Sequence, residues 1–157
     1  MKPQELLHIA REFGTPTYVY DAESIKTQYE KLTSSFSKRT KFFYAAKALT
    51  NINILKYLKN LGASLDCVSI NEVKLGLRAG FTKEKILFTP NCVDLAEIEE
   101  AMQLGVHINI DNISILEQFG NKYGHSYPIF VRINPHIYAG GNHKISTGHI
   151  DSKFGIS

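Results

Sequence analysis

The sequence predicts an α/β protein built as a partial (β/α)8 TIM barrel, with about five to six of the eight βα units. Short apolar segments alternate with amphipathic segments of helical spacing along most of the chain. The apolar segments end roughly every 20 residues, which is the length of one repeated βα unit. Such an alternation favours a parallel sheet whose strands are joined by helices.

An open, doubly wound sheet is the competing arrangement for this alternation. The near-constant spacing and the lack of a glycine-rich turn after the first strand favour the barrel. A complete barrel needs about 250 residues, whereas this chain has 157. We therefore expect the N-terminal fragment of a larger protein, because the chain begins with Met1.

The first part of the chain differs from the periodic part. Residues 3–13 have helical spacing, and residues 14–20 form an extended, β-prone run. We expect residues 1–20 to form a helix and strand extension that belongs to a separate β domain. The incomplete barrel then occupies residues 21–157, and a C-terminal β domain is absent from the chain.

Local signals mark the elements of the barrel. Polar side chains typical of helix N-caps come before the amphipathic segments, and glycines typical of helix ends follow them. The predicted caps are Asp21, Ser69 with Glu72, Asp94 with Glu97, and Asp111 or Asn112. The predicted helix ends are Gly62, Gly80 and Gly105. The predicted strands are 41–46, 64–67, 86–89, 107–110 and 128–133.

Composition restricts the class of function. The net charge is +3 and the basic residues are scattered, which disfavours nucleic acid as a partner. No apolar run reaches about 18 residues, and the N-terminus lacks a secretory signal, so no membrane span is expected. The two cysteines and six histidines lack metal-ligand spacing. A cytoplasmic protein without a metal fits these limits best.

Lys47 is the strongest single indication of chemistry. It ends an apolar run that is predicted to be an inner strand, where a lysine is expected to be poorly solvated. Burial favours the neutral amine, which is the form that reacts with an aldehyde. The alternative is an ordinary lysine whose aliphatic stem reaches from a strand end to water.

The carboxyl ends of the predicted strands supply the other candidates, because catalytic groups of βα barrels project from those ends. Asp66 comes before Ser69, which is the better helix cap, so the Asp66 carboxylate is available for a role in the site. Asp111 is expected to cap a helix, and Asn91 is expected to be a loop residue. Arg132 needs an anionic or polar partner, and a structural ion pair is an equal alternative. His143 is expected to be a loop or substrate-proximal residue rather than a metal ligand, and Cys67 a small core residue rather than a nucleophile.

Several segments together resemble the diaminopimelate decarboxylases, within the alanine racemase-like (fold type III) group of pyridoxal phosphate enzymes. The most discriminating pair, at 143–148 and 152–156, is more similar to these decarboxylases than to ornithine decarboxylases or racemases. The segments are Gly-Thr-Pro at 14–16 with YVYD at 18–21, FYAAKA at 43–48, LDCVS at 65–69 with Glu72, VRINP at 131–135, HKISTG at 143–148 and SKFGI at 152–156.

The resemblance implies that Lys47 binds pyridoxal 5'-phosphate covalently, with Asp66 and Arg132 near the lysine and the cofactor ring. It implies decarboxylation of meso-2,6-diaminopimelate to L-lysine, the last step of lysine biosynthesis, by a homodimer. A ring-stacking histidine, a glycine-rich phosphate loop, a glutamate for the pyridine nitrogen and the partner's acid cysteine would lie beyond Ser157. The fragment alone is therefore expected to be inactive and poorly soluble.

Three alternatives stay open. Another decarboxylase of this group would act on ornithine, arginine or carboxynorspermidine, because residues outside this chain set much of the specificity. A barrel of this fold can also bind pyridoxal phosphate without catalysis, although segments 14–21 and 134–155 argue against that. An inactive decarboxylase-like binding protein is the third, and the intact Lys47 counts against it.

Overall fold

The computed structural model describes residues 1–138, 142 and 146–157. The chain divides into two compact units, Met1–Thr40 and Lys41–Ser157. The helices are α1 (Pro3–Phe13), α2 (Ala22–Ser34), α3 (Ile52–Asn60), α4 (Ile70–Arg78), α5 (Leu95–Gln103) and α6 (Ile113–Tyr123). The strands are β1 (Phe43–Ala45), β2 (Ser64–Cys67), β3 (Ile86–Phe88), β4 (His107–Ile110) and β5 (Phe130–Val131).

The first unit consists of α1 and α2. Asp21 caps α2 as predicted, because its carboxylate accepts a hydrogen bond from the Ser24 amide at 3.1 Å. The same carboxylate accepts from the Met1 ammonium at 2.9 Å. Residues 14–20 form no strand in the described structure. A strand needs a neighbour for its backbone hydrogen bonds, so the assignment of this run to another sheet stays a prediction.

The second unit is a parallel sheet with the strand order β1-β2-β3-β4-β5. Each strand pairs with the strand that follows it in sequence, and a helix forms each connection from β1 to β5. The order never reverses, as it would in a doubly wound sheet, so the predicted succession of barrel units is confirmed. Ile133 forms a parallel bridge with Ile156, which marks the expected beginning of a sixth unit.

Three predicted strands are shorter in the structure. The first covers Phe43–Ala45 rather than 41–46, β3 ends at Phe88 rather than at residue 89, and β5 covers only Phe130–Val131 rather than 128–133. Pairing limits β5, because only Asn109 and Ile110 of β4 lie opposite it and proline at 128 has no amide hydrogen to donate. By contrast, β2 and β4 have the predicted bounds.

The hydrophobic core lies between the sheet and the helices. Alternate strand residues face the helices and have no exposed surface, among them Leu65, Cys67, Ile86, Phe88 and Ile108. The residues between them point to the opposite face of the sheet, since strand side chains alternate. Asp66 lies on that second face, in register with Ala45 and Leu87.

Gly76 on α4 gives a test of how closely this helix packs on the sheet. A Cβ at Gly76 would lie 2.5 Å from Leu65 Cδ2 and 3.2 Å from Ile86 Cδ1. Both neighbours are fully buried. We expect Gly76→Ala to lower the free energy of unfolding by roughly 1–3 kcal/mol, because overpacking outweighs the better helix propensity of alanine.

The matched control is Gly120→Ala on α6, where no atom lies within 4 Å of the added Cβ. This variant is expected to raise the free energy of unfolding by up to about 1 kcal/mol. Urea unfolding measures both changes. Equal stability of the two variants would contradict the close approach of α4 to β2 and β3.

The two cysteines differ in environment, which a thiol-labelling experiment can check. Cys67 is fully buried, as predicted, and burial raises the pKa of its thiol. Cys92 is exposed. We expect iodoacetamide to modify Cys92 in the native protein, and Cys67 only after denaturant is added. Mass spectrometry of the labelled peptides gives the result, and rapid native labelling of Cys67 would show that β2 is not covered by helices.

Candidate functional site

A cavity of about 480 Å³ lies at the carboxyl ends of the strands. All three sequence-predicted site residues line it: Lys47 after β1, Asp66 on β2 and Arg132 after β5. They meet because the carboxyl ends of neighbouring parallel strands lie at one edge of a sheet. The other lining residues are Val68, Thr89, Asn91, Asn109, Thr147, Lys153 and Phe154.

Lys47 lies in a short 3₁₀ turn, Ala46–Ala48, that directly follows β1. The turn is anchored by the buried Ala46, whose carbonyl accepts a hydrogen bond from the Leu49 amide at 3.0 Å. The expected burial of Lys47 is wrong, because its side chain is exposed. Tyr44, an apolar neighbour of Lys47, is in register with Leu65, which faces the helices. Tyr44 therefore packs on the helix-covered face of the sheet and does not bury the lysine.

Asp66 is half-buried and fixed by the neighbouring strand. Its carboxylate accepts a hydrogen bond from the Thr89 hydroxyl, at the end of β3. Asp66 does not cap α4, because the Ser69 hydroxyl accepts from the Glu72 amide at 3.3 Å and the Glu72 carboxylate accepts from the Val68 amide at 2.8 Å. The predicted Ser69 cap is therefore confirmed, but the capping box is not complete, because Glu72 accepts from the Val68 amide and not from the amide of the cap residue itself. Asp66 faces the cavity.

Arg132 follows β5, where its amide donates to the Ile110 carbonyl at 2.8 Å. Its guanidinium lies 4.5 Å from the centre of the Phe154 ring, and the Lys153 amine lies 5.3 Å from that centre. The expected partner was an anionic or polar group. Instead, Arg132 forms a cation–π contact and no salt bridge with any described residue.

Asn91 and Asp111 form a contact that the sequence did not reveal. The side-chain amide of Asn91 donates to the Asp111 carboxylate at 2.5 Å and to the Lys153 carbonyl at 3.3 Å. The expectation that Asp111 caps α6 is wrong, because Asn112 accepts from the Ile115 amide at 2.8 Å. Asn91 lies in a loop as expected, but it also lines the cavity.

Thr89, Asn109, Lys153 and Phe154 were also missed by sequence reasoning. Strand alternation could have found Thr89 and Asn109, since Asn109 alternates with the helix-facing Ile108 and Ile110. The other two reach the cavity through the bridge between Ile133 and Ile156, which no local pattern predicts. The predicted His143 lies outside the described residues, and among those that are described no group of three side chains is placed to hold a metal ion.

The charges of the described cavity lining are mostly positive. Lys47, Arg132 and Lys153 carry cationic groups, and Asp66 is the one carboxylate among the described lining residues. Lys47 forms no salt bridge within the part of the chain that the structure describes. The cavity therefore combines a primary amine with a surplus of positive charge, which suits an anionic aldehyde.

Comparison with known proteins gives a consistent result. The family model for the pyridoxal binding domain of pyridoxal-dependent decarboxylases matches residues 22–157. The diaminopimelate decarboxylase of Methanothermobacter thermautotrophicus is 37% identical over 97% of this chain. The chain spans 36% of the length of that relative.

Solved structures show the same similarity. Diaminopimelate decarboxylase from Helicobacter pylori, complexed with L-lysine, has a TM-score of 0.80 and 33% identity, over 92% of this chain and 39% of that one. Lysine/ornithine decarboxylase from Vibrio vulnificus, complexed with putrescine, has a TM-score of 0.70 and 26% identity, over 76% of this chain and 33% of that one.

The amine and the cationic lining fit pyridoxal phosphate, which carries both an aldehyde and a phosphate. The matched family, the barrel-type sheet and the resemblance to diaminopimelate decarboxylases agree with one another. The chain belongs to the pyridoxal-dependent decarboxylases, through their pyridoxal binding domain.

Proposed function

We propose that the full-length protein carrying this chain is a diaminopimelate decarboxylase, which releases carbon dioxide from meso-diaminopimelate and forms L-lysine. The observation that carries the proposal is the placement of Lys47, Asp66 and Arg132 around one cavity at the carboxyl ends of the strands. The similarity to diaminopimelate decarboxylases over nearly the whole chain supports this substrate class.

Lys47 is the residue proposed to hold the cofactor. Pyridoxal phosphate, when bound, supplies an electron sink that stabilises the electron pair left by departing carbon dioxide. The amine of Lys47 forms no salt bridge with a described residue, so no carboxylate has to be displaced before it reacts. The 3₁₀ turn places that amine at the cavity rather than among the helices.

Asp66 is proposed to orient and stabilise positive charge beside the lysine. The Thr89 hydroxyl holds its carboxylate, which reduces the number of orientations open to it. Asp66 thus supplies the negative charge within a cavity whose other charged groups are cations.

Arg132 and Lys153 bear on the choice of substrate. Both cations contact the Phe154 ring and line the cavity. Meso-diaminopimelate carries a second carboxylate, whereas ornithine ends in an ammonium group alone. A cationic lining attracts the former and repels the latter. The charges therefore favour diaminopimelate over ornithine as the substrate.

We also propose a cytoplasmic homodimer whose residues 1–20 belong to a separate β domain. The free cysteines, Cys67 and Cys92, suit a reducing compartment. None of the helices in the described part of the chain has the length and apolar character required to cross a membrane. The homodimer and the β domain rest on the resemblance to the family.

Substitution of the lysine tests the proposed function. In the full-length protein, Lys47→Ala is expected to abolish the visible absorbance of bound cofactor and to reduce decarboxylation at least roughly 1000-fold, because the attacking amine is removed. The matched control is Lys56→Ala on α3, which removes an exposed lysine that does not line the cavity.

The wild-type protein and the control are expected to release carbon dioxide and L-lysine from meso-diaminopimelate, and to leave ornithine largely unchanged. Absorbance of the protein reports the bound cofactor, and chromatography identifies the products of the reaction. Retention of the absorbance band by Lys47→Ala would refute the role of this lysine. Preference for ornithine would refute the proposed substrate.

A further inference from the structure

One side-chain amide joins three separate parts of the barrel unit. Asn91, in the loop after β3, donates to the carboxylate of Asp111, which follows β4. The same amide group donates to the carbonyl of Lys153, which is 62 residues away in the sequence. Asn91 therefore connects the end of the sheet to the turn that forms one side of the cavity.

Asp111 fixes the orientation of Asn91. It is 6% exposed, and a buried carboxylate is costly unless hydrogen-bond donors surround it. Among the described residues Asp111 has no cationic partner, and its second oxygen accepts from the Asn112 side chain at 3.3 Å. Rotation of Asn91 away from Asp111 would remove a charge-assisted hydrogen bond from a buried group.

The turn at Lys153 is also held at its other end, close to the point where Asn91 binds. Ile156 donates to the Arg132 carbonyl at 2.8 Å and accepts from the Asn134 amide at 2.7 Å. Gly155 has a φ of +82°, and a Cβ there would lie 2.7 Å from the Asn134 nitrogen. The chain thus packs directly on the backbone after β5, and the contact with Asn91 at Lys153 supports the same short segment from its other end.

Phe154 lies between these two attachments and links the position of the turn to the cavity. Its ring lies 4.5 Å from the Arg132 guanidinium, and both residues line the cavity. Arginine has a long side chain with many rotamers, so the ring restricts where its charge is placed. A shift of the turn would move the ring and release the guanidinium.

We propose that Asn91, oriented by Asp111, is a positioning residue that fixes the Lys153 turn and, through Phe154, the guanidinium of Arg132. This inference rests on the proposed decarboxylase function. Asn91 acts on the substrate through other residues, so its loss changes the fit of the cavity rather than removing a reacting group.

Asn91→Leu in the full-length protein removes the donors and keeps a side chain with the same branching. We expect the KM for meso-diaminopimelate to rise roughly tenfold, the size expected for one charge-assisted hydrogen bond, with kcat changed by less than about threefold. We also expect the Ile156 amide to exchange with deuterium roughly tenfold faster, while amides of α4 are unchanged. An unchanged KM or an unchanged Ile156 exchange rate would overturn the proposal.

Two controls separate the effect of the Asn91 contacts from a general loss of stability. Gln118→Leu removes an amide whose hydrogen bonds to described residues go to Ser114 within α6, so KM and exchange should match those of the wild type. Lys153→Ala removes a cation but keeps the backbone carbonyl that Asn91 binds, so exchange at Ile156 should stay at the wild-type rate. Faster exchange in either control would overturn the assignment of the effect to Asn91.

A double-mutant cycle tests the route through the ring. If Asn91 acts through Phe154, the double variant Asn91→Leu/Phe154→Leu has the same KM as Phe154→Leu alone. If the two effects multiply instead, the proposed route is wrong. Should Asn91→Leu fail to fold, Asp111→Asn tests the same contact with a smaller change, and unchanged exchange at Ile156 in that variant overturns the proposal.

The exchange measurement also separates this inference from the proposed function. Lack of decarboxylation by the wild-type protein would contradict the proposed function and the effect of Asn91 on KM. Under that outcome, faster Ile156 exchange in Asn91→Leu would still establish that Asn91 fixes the Lys153 turn, and unchanged exchange would refute it.

Discussion

The parallel pairing of five consecutive strands is the constraint on which the candidate site depends. Because each strand pairs with its successor, the residues that follow the strands meet at one edge of the sheet. The register matters as much as the order. Asp66 lies opposite Ala45 and Leu87, and a shift of one residue would turn it toward the helices, where Leu65 now lies.

The sequence predicted the parts of the structure that local signals specify. Strand β2 and strand β4 follow from apolar runs, and the Ser69 cap of α4 follows from a serine placed directly before an amphipathic segment. The placement of Lys47 at the cavity follows from the rule that strand ends meet. Neither inference requires knowledge of which distant side chains are in contact.

Contacts between distant segments were beyond such reasoning. Asp111 and Asn112 are adjacent and both can cap a helix, so only the position of Asn91 shows which one caps α6 and which one accepts from Asn91. Arg132 was expected to need an anionic or polar partner, but the Phe154 ring reaches it through the bridge between Ile133 and Ile156. Lys47 is exposed because its apolar neighbours pack on the opposite face of the sheet.

The central claim is that the amine of Lys47 captures the cofactor, and covalent trapping tests it most directly. The full-length protein would be incubated with pyridoxal phosphate, reduced with borohydride, digested and analysed by mass spectrometry. We expect a phosphopyridoxyl group on the peptide that contains Lys47. Attachment to Lys153, the other lysine among the described cavity residues, or to neither of them would contradict it.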